Sequence, residues 1–278
     1  MSFESLIGRK KLLTIEFNPP KNPDIQKYIL KLEQFKNIAD AINVTDSPMA
    51  KPRMNSIVSA NFIKNISEPI FNLTCRDKNK IAIQSDLLAA SALGLKNILA
   101  ITGDPTKDND SVYKINVFEL IKLIQSLNEQ FNTDFFIGCA SDIPKTNNIP
   151  SIKSRLKRKS EIGVKFVITQ PIFSKNDLER FLEASENINI RKIIGIMPIL
   201  SYKSALYLNN FVKGIDIPQP VISKFENASK EDSKLVAIGL IEKLLEDINS
   251  LLPYVEGLHI MKLDYEIANL IKKYLEVS

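Results

Sequence analysis

The feature that most constrains this chain is a regular alternation, in which short runs rich in β-branched and aromatic residues are separated by longer stretches of helical periodicity. The β-rich runs are Leu12–Phe17, Asp40–Thr45, Pro69–Thr74, Asn97–Thr102, Asp134–Cys139, Lys165–Gln170, Lys192–Met197 and Val255–Met261. Between them, Ile25, Ile29, Leu32 and Phe35 recur at helical spacing, as do Val117, Leu120, Ile121, Ile124 and Leu127, so each stretch carries one apolar stripe to lay on a sheet. Strands joined by helical crossovers pair in parallel. Punctuation agrees with this reading: Asp24 is placed to cap the first of these helices, Gly94 to end the helix after the third strand, and Ser174 with Asp177 resembles a capping box.

Parallel strands with helical crossovers form either an open doubly wound sheet or a closed barrel. Glycine usage separates the two. A dinucleotide-binding sheet opens with a GxGxxG turn and a phosphate loop with GxxxxGK[ST]; the nine glycines here form neither pattern. Eight strands also match the number that closes a barrel, and 278 residues is close to the roughly 250 typical of one. The expectation is an α/β protein, a (β/α)8 TIM barrel, with residues 1–278 forming a single domain. One connection is long, from Met197 to Val255, with helices expected around Ser201–Val212 and Ser229–Leu251 and an irregular piece at Ile217–Phe225.

Composition narrows the function classes. With 44% hydrophobic and 25% charged residues the chain reads as globular. The N-terminus lacks an apolar leader core and no stretch is long and apolar enough to span a bilayer, which predicts a cytoplasmic protein with no membrane partner. Cys75, Cys139 and a single histidine, His259, offer no disulfide framework and no zinc pattern, so no metal is expected and the cysteines read as reduced structural thiols. The net charge of +5 is spread over lysines that alternate with acids, and there is no tryptophan, which argues against nucleic acid as a partner.

In such a barrel, chemistry comes from the carboxyl ends of strands and the loops that follow. Glu16 lies inside an apolar run, where burial raises a carboxyl pKa and suits it to donate a proton; a strand-end carboxylate paired with lysine is the competing reading. Asp104 sits between Gly103 and Pro105 in a turn that lets backbone and carboxylate approach a ligand, or that is only a turn. Gln170 ends an apolar strand, where its amide can meet the edge of a heterocycle or be satisfied within the core. Lys157-Arg158-Lys159 can meet phosphates or form a solvated helix face. His259 reads as a packed, hydrogen-bonded histidine.

Taken in order, Ile15-Glu16-Phe17-Asn18-Pro19-Pro20, Leu73-Thr74-Cys75, Gly103-Asp104, Lys157-Arg158-Lys159 with Gly163, Ile168-Thr169-Gln170 and Gly195-Ile196-Met197-Pro198-Ile199 resemble the methylenetetrahydrofolate reductase family. The resemblance implies a flavin-binding barrel that reduces 5,10-methylenetetrahydrofolate to 5-methyltetrahydrofolate in one-carbon metabolism. It implies Glu16 as the general acid and Asp104 as a catalytic residue beside the flavin ring and the pterin. Gln170 would hydrogen-bond the pterin, and Tyr202 would pack over the folate substrate. Thr45, Asn72, Thr102 and Gly103 would line the flavin with Asp104, while Arg158 and Lys159 would meet its phosphates.

Departures from the pattern shape the remaining expectations. Asn72 stands where well-known members carry histidine, Thr102 where they carry arginine, and Tyr265 where some carry an arginine thought to contact folate. The cofactor is expected to be FAD, with FMN as the alternative because residues 138–144 lack the Tyr and His-Glu expected to hold adenine. Arg76-Asp77-Lys78-Asn79 resembles a divergent branch, so the donor is NAD(P)H or a reduced iron–sulfur partner protein. A flavin-binding electron-transfer subunit of a larger complex, a reductase acting on a modified pterin with a non-NAD(P)H donor, and a barrel scaffold without flavin are the competing functions. The sequence leaves the oligomeric state open.

Overall fold

The structure, a computed structural model, describes residues 2–106, 111–212 and 214–277. Eight strands form its centre: β1 (Leu12–Phe17), β2 (Ala41–Val44), β3 (Glu68–Thr74), β4 (Asn97–Ile101), β5 (Phe136–Ser141), β6 (Phe166–Ile172), β7 (Arg191–Ile196) and β8 (Gly257–Ile260). They pair in parallel and in chain order, and β1 also pairs with β8, so the sheet closes on itself. A short helix α1 (Phe3–Leu6) precedes β1. The crossovers carry α2 (Gln26–Glu33), α3 (Ser56–Ile63), α4 (Lys80–Ala92), α5 (Val117–Phe131), α6 (Ile149–Glu161) and α7 (Lys175–Ala184). The long connection holds α8 (Tyr202–Phe211), α9 (Gln219–Ser223) and α10 (Lys230–Ile248), and α11 (Tyr265–Val277) follows β8. This is the expected single-domain (β/α)8 barrel.

The period-two alternation of the strands sorts two apolar groups. Leu13, Ile15, Phe17, Ile42, Val44, Phe71 and Leu73 point outward and pack with the helical stripes, including Leu32, Phe35, Leu120, Ile121 and Ile124. Leu12, Ala41, Ile70, Leu99, Phe136, Phe166, Ile168 and Ile193 point inward and form a second cluster with Phe3 and Ile7. Phe3 stands edge-on to Phe136 and Phe166, with ring centroids 6.0 and 5.2 Å away, while Phe136 and Phe166 stack at 5.4 Å. These rings fill the amino-terminal end of the barrel. Gly138 permits it, since a Cβ there would lie 2.2 Å from the Phe166 ring. Burying a phenylalanine such as Phe3 contributes about 3 kcal/mol. With that end plugged, the carboxyl ends of the strands form the mouth.

Local departures from expectation have local causes. Asp24 does not cap the first crossover helix: α2 starts at Gln26, its N-cap Ile25 makes no side-chain cap bond, and the Asp24 backbone N–H instead meets Asn22 Oδ1 at 3.2 Å. β5 begins two residues late because Asn132 and Asp134 hold the left-handed conformation of a turn, with φ of 55° and 56°. Gly94 follows α4 at φ +71°, as a C-terminal glycine should. Ser174 accepts from the Asp177 backbone N–H, but the Asp177 carboxylate reaches past Ser174 to the Phe173 N–H at 2.8 Å. The sequence pattern did not anticipate the α1 plug.

Candidate active site

Alternation fixes which groups face the mouth. On β1, Leu12 belongs to the inner cluster, so Thr14 and Glu16 share its inward face. On β2 and β3 the same parity turns Asn43 and Asn72 inward from Ala41 and Ile70, and on β8 it turns His259 inward. Thr14 Oγ1 and His259 Nδ1 are 2.9 Å apart, and burial pushes the imidazole down to about 3, so it is neutral in the physiological range. Above this pair Glu16 is only partly covered. Desolvation pushes its carboxyl up to about 7, opposed by a long hydrogen bond of 3.5 Å donated by Asn18 Nδ2. Among the described residues no lysine, arginine or histidine pairs with it.

Asn43 and Asn72 are 2% and 5% exposed, yet Oδ1 of each lacks a hydrogen-bond partner. A buried, unpartnered amide oxygen costs about 1–3 kcal/mol, so one on the inward face of each of the neighbouring strands β2 and β3 marks a place where a donor is missing. Thr45, buried just beyond β2, donates to Asn18 Oδ1 at 2.9 Å and ties the first two strand ends together.

Gln170 owes its place to a break in the ladder. The β6–β7 register shifts between Ile168 and Pro171, where proline supplies no N–H. Thr169 Oγ1 fills in by accepting from the Gly195 N–H at 2.9 Å. The bulge approaches β7 closely, because a Cβ on Gly195 would lie 2.5 Å from the Thr169 carbonyl oxygen. Gln170 is left half-buried near the end of β6, which runs on to Ile172, with the Gly214 backbone beside its Cγ.

The β4 end is bound to the loop after β2. Gly103 has φ +84°, and a Cβ there would sit 3.0 Å from Thr74 Cβ and 3.1 Å from Arg76 Cβ. Asp104 is exposed, and its Oδ2 accepts from the Met49 backbone N–H at 2.8 Å. The intervening loop is strained: Ser47, Met49 and Ala50 have φ of 46°, 56° and 54°. Arg76 braces it from beneath, fully buried, donating to the Ser47 carbonyl at 3.0 Å and pairing with Asp77 at 2.5 Å. Asp46 adds a second tie by accepting from the Thr74 N–H and hydroxyl at 3.1 and 2.9 Å. Closure of a parallel barrel therefore gathers Glu16, Asn43, Thr45, Asn72, Gly103, Asp104 and Gln170 at one end, from β1, β2, β3, β4 and β6.

A family model for methylenetetrahydrofolate reductase matches residues 3–275. The chain belongs to the methylenetetrahydrofolate reductase family. Among similar proteins, a probable NADPH-dependent methylenetetrahydrofolate reductase of Caenorhabditis elegans is 27% identical over 266 residues, covering 90% of this chain and 39% of the relative. A 5,10-methylenetetrahydrofolate reductase of Buchnera aphidicola (subsp. Schizaphis graminum) is 25% identical over 247 residues, covering 84% of this chain and 82% of the relative. The chain thus spans about two fifths of the nematode protein and most of the bacterial one. A solved structure from Clostridium thermocellum, described as binding two copies of 5-methyl-5,6,7,8-tetrahydrofolic acid, superposes with a TM-score of 0.68 at 17% identity, over 97% of this chain and 96% of that one. At that identity the likeness shows the shared fold.

The remaining residues singled out by the family resemblance occupy varied settings. Lys159 is buried, and its Nζ donates to the Ala140 carbonyl near the end of β5 at 2.8 Å; it is no solvated face. Arg158 is exposed, with its guanidinium 4.4 Å above the Phe118 ring of α5. Thr102 is exposed directly after β4, and Tyr202 is exposed at the first position of α8. Cys75 and Cys139 are free and buried, and burial pushes the Cys75 thiol up to about 12, so both thiols are inert. Among the described residues no group of three His, Cys, Asp or Glu is arranged to hold a metal, and no helix is long and apolar enough to cross a membrane. Asn43 and the Ser47–Ala50 loop escaped the sequence reading. Parity of β2 would have turned Asn43 inward, whereas nothing in the local composition marks a non-glycine loop as left-handed.

Proposed function

We propose that this chain is a flavin-dependent reductase converting 5,10-methylenetetrahydrofolate to 5-methyltetrahydrofolate in the cytoplasm. The observation that carries the proposal is Glu16, a partly covered carboxyl pushed up to about 7 with no cationic partner among the described residues, in the mouth of a barrel of this family. A general acid works best with a pKa near the operating pH. The Clostridium thermocellum protein of the same fold binds the product of this reaction, and the printed names of relatives support the same reading.

The residues fit a flavin in one respect that depends only on this molecule: the unpartnered buried amide oxygen of Asn72 calls for an N–H donor, which the ring edge of an isoalloxazine or a pterin supplies. Asn72, Thr45, Thr102, Gly103 and Asp104 would hold the ring, and Arg158 and Lys159 its phosphates. A bound flavin supplies hydride chemistry, taking a hydride from a donor and giving it to the one-carbon unit. Gly103, lacking a side chain, keeps the β4 turn tight against Thr74 and opens its backbone to a ligand. Gln170 offers both donor and acceptor to the pterin edge, and Tyr202 covers the substrate from α8. Glu16, whose raised pKa keeps a substantial acid fraction at neutral pH, donates its proton to the folate nitrogen that leaves the methylene carbon, exposing that carbon to reduction.

FAD is the cofactor proposed; FMN is kept as the alternative because Ser141-Asp142-Ile143-Pro144, at the end of β5, offers no aromatic side chain for adenine. The donor is NADH, NADPH or a reduced iron–sulfur protein. Anaerobic assays of the flavin-loaded chain with each donor, scored for 5-methyltetrahydrofolate by mass, test the proposal. Formation of that product with any donor supports it, and its absence with all three refutes it.

A further inference from the structure

A protonated carboxyl is itself a donor, and a buried O–H without an acceptor is as unfavourable as any other orphan. Glu16 is only partly covered, and whatever part of its carboxyl is shut off from solvent gains from such an acceptor in the acid form. Asn18 cannot serve in its present orientation, since its Nδ2 donates to Glu16 and its Oδ1 already accepts from Thr45. On the β8 side, His259 is turned to Thr14 through Nδ1, and Met261 follows the strand. No ion pair among the described residues includes Glu16.

On the β2 side the situation differs. Glu16 and Asn43 are direct partners in the parallel ladder. Both face inward by the alternation that puts Leu12 and Ala41 in the inner cluster. Asn43 is 2% exposed, and its Oδ1 has no hydrogen-bond partner. Register neighbours on one face of a sheet are separated by about 5 Å, within reach of a glutamic acid and an asparagine. One side chain therefore holds a proton to give, and its neighbour holds an acceptor with nothing to take.

We infer that Asn43 is a positioning residue for the Glu16 acid, its Oδ1 accepting the Glu16 carboxyl O–H and so aiming the proton-bearing oxygen along the barrel mouth until folate arrives. The inference rests on the proposed role of Glu16 but names a residue outside it. Asn43 touches neither the reacting carbon nor the donor in this account. It acts by fixing the rotamer and protonation state of the group that does. In the ionised form the amide turns over and its N–H donates instead, so the same residue serves Glu16 on both sides of the proton transfer.

The test reads the proton-bearing carboxyl directly. Infrared difference spectra between acid and alkaline pH, taken on the purified protein with no folate added, contain the C=O stretch of each carboxyl that protonates. The Glu16 band is the one missing from Glu16→Gln. A carboxyl O–H that loses its acceptor moves this stretch to higher frequency. In Asn43→Leu the Glu16 band is expected to move up, in Asn43→Ser, which keeps an oxygen acceptor, to stay near its original position, and folate reduction is expected to fall about tenfold in the leucine variant. An identical Glu16 band in wild type and Asn43→Leu overturns the inference. Should the leucine variant fail to fold, the wild-type band decides alone, since a frequency typical of an unbonded acid overturns the inference and a lowered one supports it. Because no folate or electron donor enters the spectrum, a chain that reduces no folate would refute the proposed activity and leave this result standing.

Discussion

Glu16→Gln keeps the length and most of the hydrogen-bonding reach of the side chain while removing its titratable proton. In the unfolded chain this carboxyl ionises around 4.5, and in the folded barrel only around 7. Between those values the unfolded state releases a proton that the folded state retains, so wild-type stability declines as pH rises through the window and the deficit is complete above about pH 7. At about 1.4 kcal/mol per pKa unit the full deficit is about 3 kcal/mol. The glutamine variant carries no such term. Urea denaturation across pH 4 to 8 should therefore show the two proteins equally stable near pH 4 and the variant ahead by up to about 3 kcal/mol near pH 8. The same substitution should lower the rate of folate reduction by at least about a hundredfold while leaving flavin affinity nearly unchanged. Parallel stability curves would show that the mouth does not desolvate Glu16, and near-normal turnover would remove it as the acid.

Other positions give independent expectations. His259 carries the opposite dependence: its folded value of about 3 lies below the unfolded 6.5, so stability is lost as pH falls through that interval, and His259→Asn should flatten the acid limb of a stability–pH curve measured by denaturation. Gly103→Ala forces a Cβ to within 3.0 Å of Thr74 Cβ at φ +84° and should destabilise the chain by about 1–3 kcal/mol in the same assay, where a change below a few tenths would contradict the packing described. Asp104→Asn removes a negative charge from the β4 turn, so the midpoint potential of bound flavin should become more positive; an unchanged potential would place Asp104 away from the ring.

The sequence made the barrel legible because its two periodicities, two for strands and near 3.6 for helices, are set by covalent geometry and survive any tertiary arrangement. Glu16 was legible for the same reason: an acid in an unbroken apolar strand must face a partly covered interior. Asp24 misled because a cap needs the chain to turn at that residue, and the turn came one residue later, at Ile25. Lys159 was ambiguous in a basic run, since only packing reveals that its stem is buried and its ammonium satisfied by Ala140. The tie between Met49 and Asp104 was invisible, because it joins residues 55 apart through a backbone conformation that local composition does not encode.

The central claim is that one barrel mouth holds a flavin and a folate together with Glu16. Its most direct test is to load the purified chain with FAD, reduce it anaerobically, add 5,10-methylenetetrahydrofolate and follow the flavin absorbance. Reoxidation of the flavin in step with the appearance of an equal amount of 5-methyltetrahydrofolate, with Glu16→Gln at least about a hundredfold slower, is the predicted result. A flavin that stays reduced in the presence of saturating folate would contradict it.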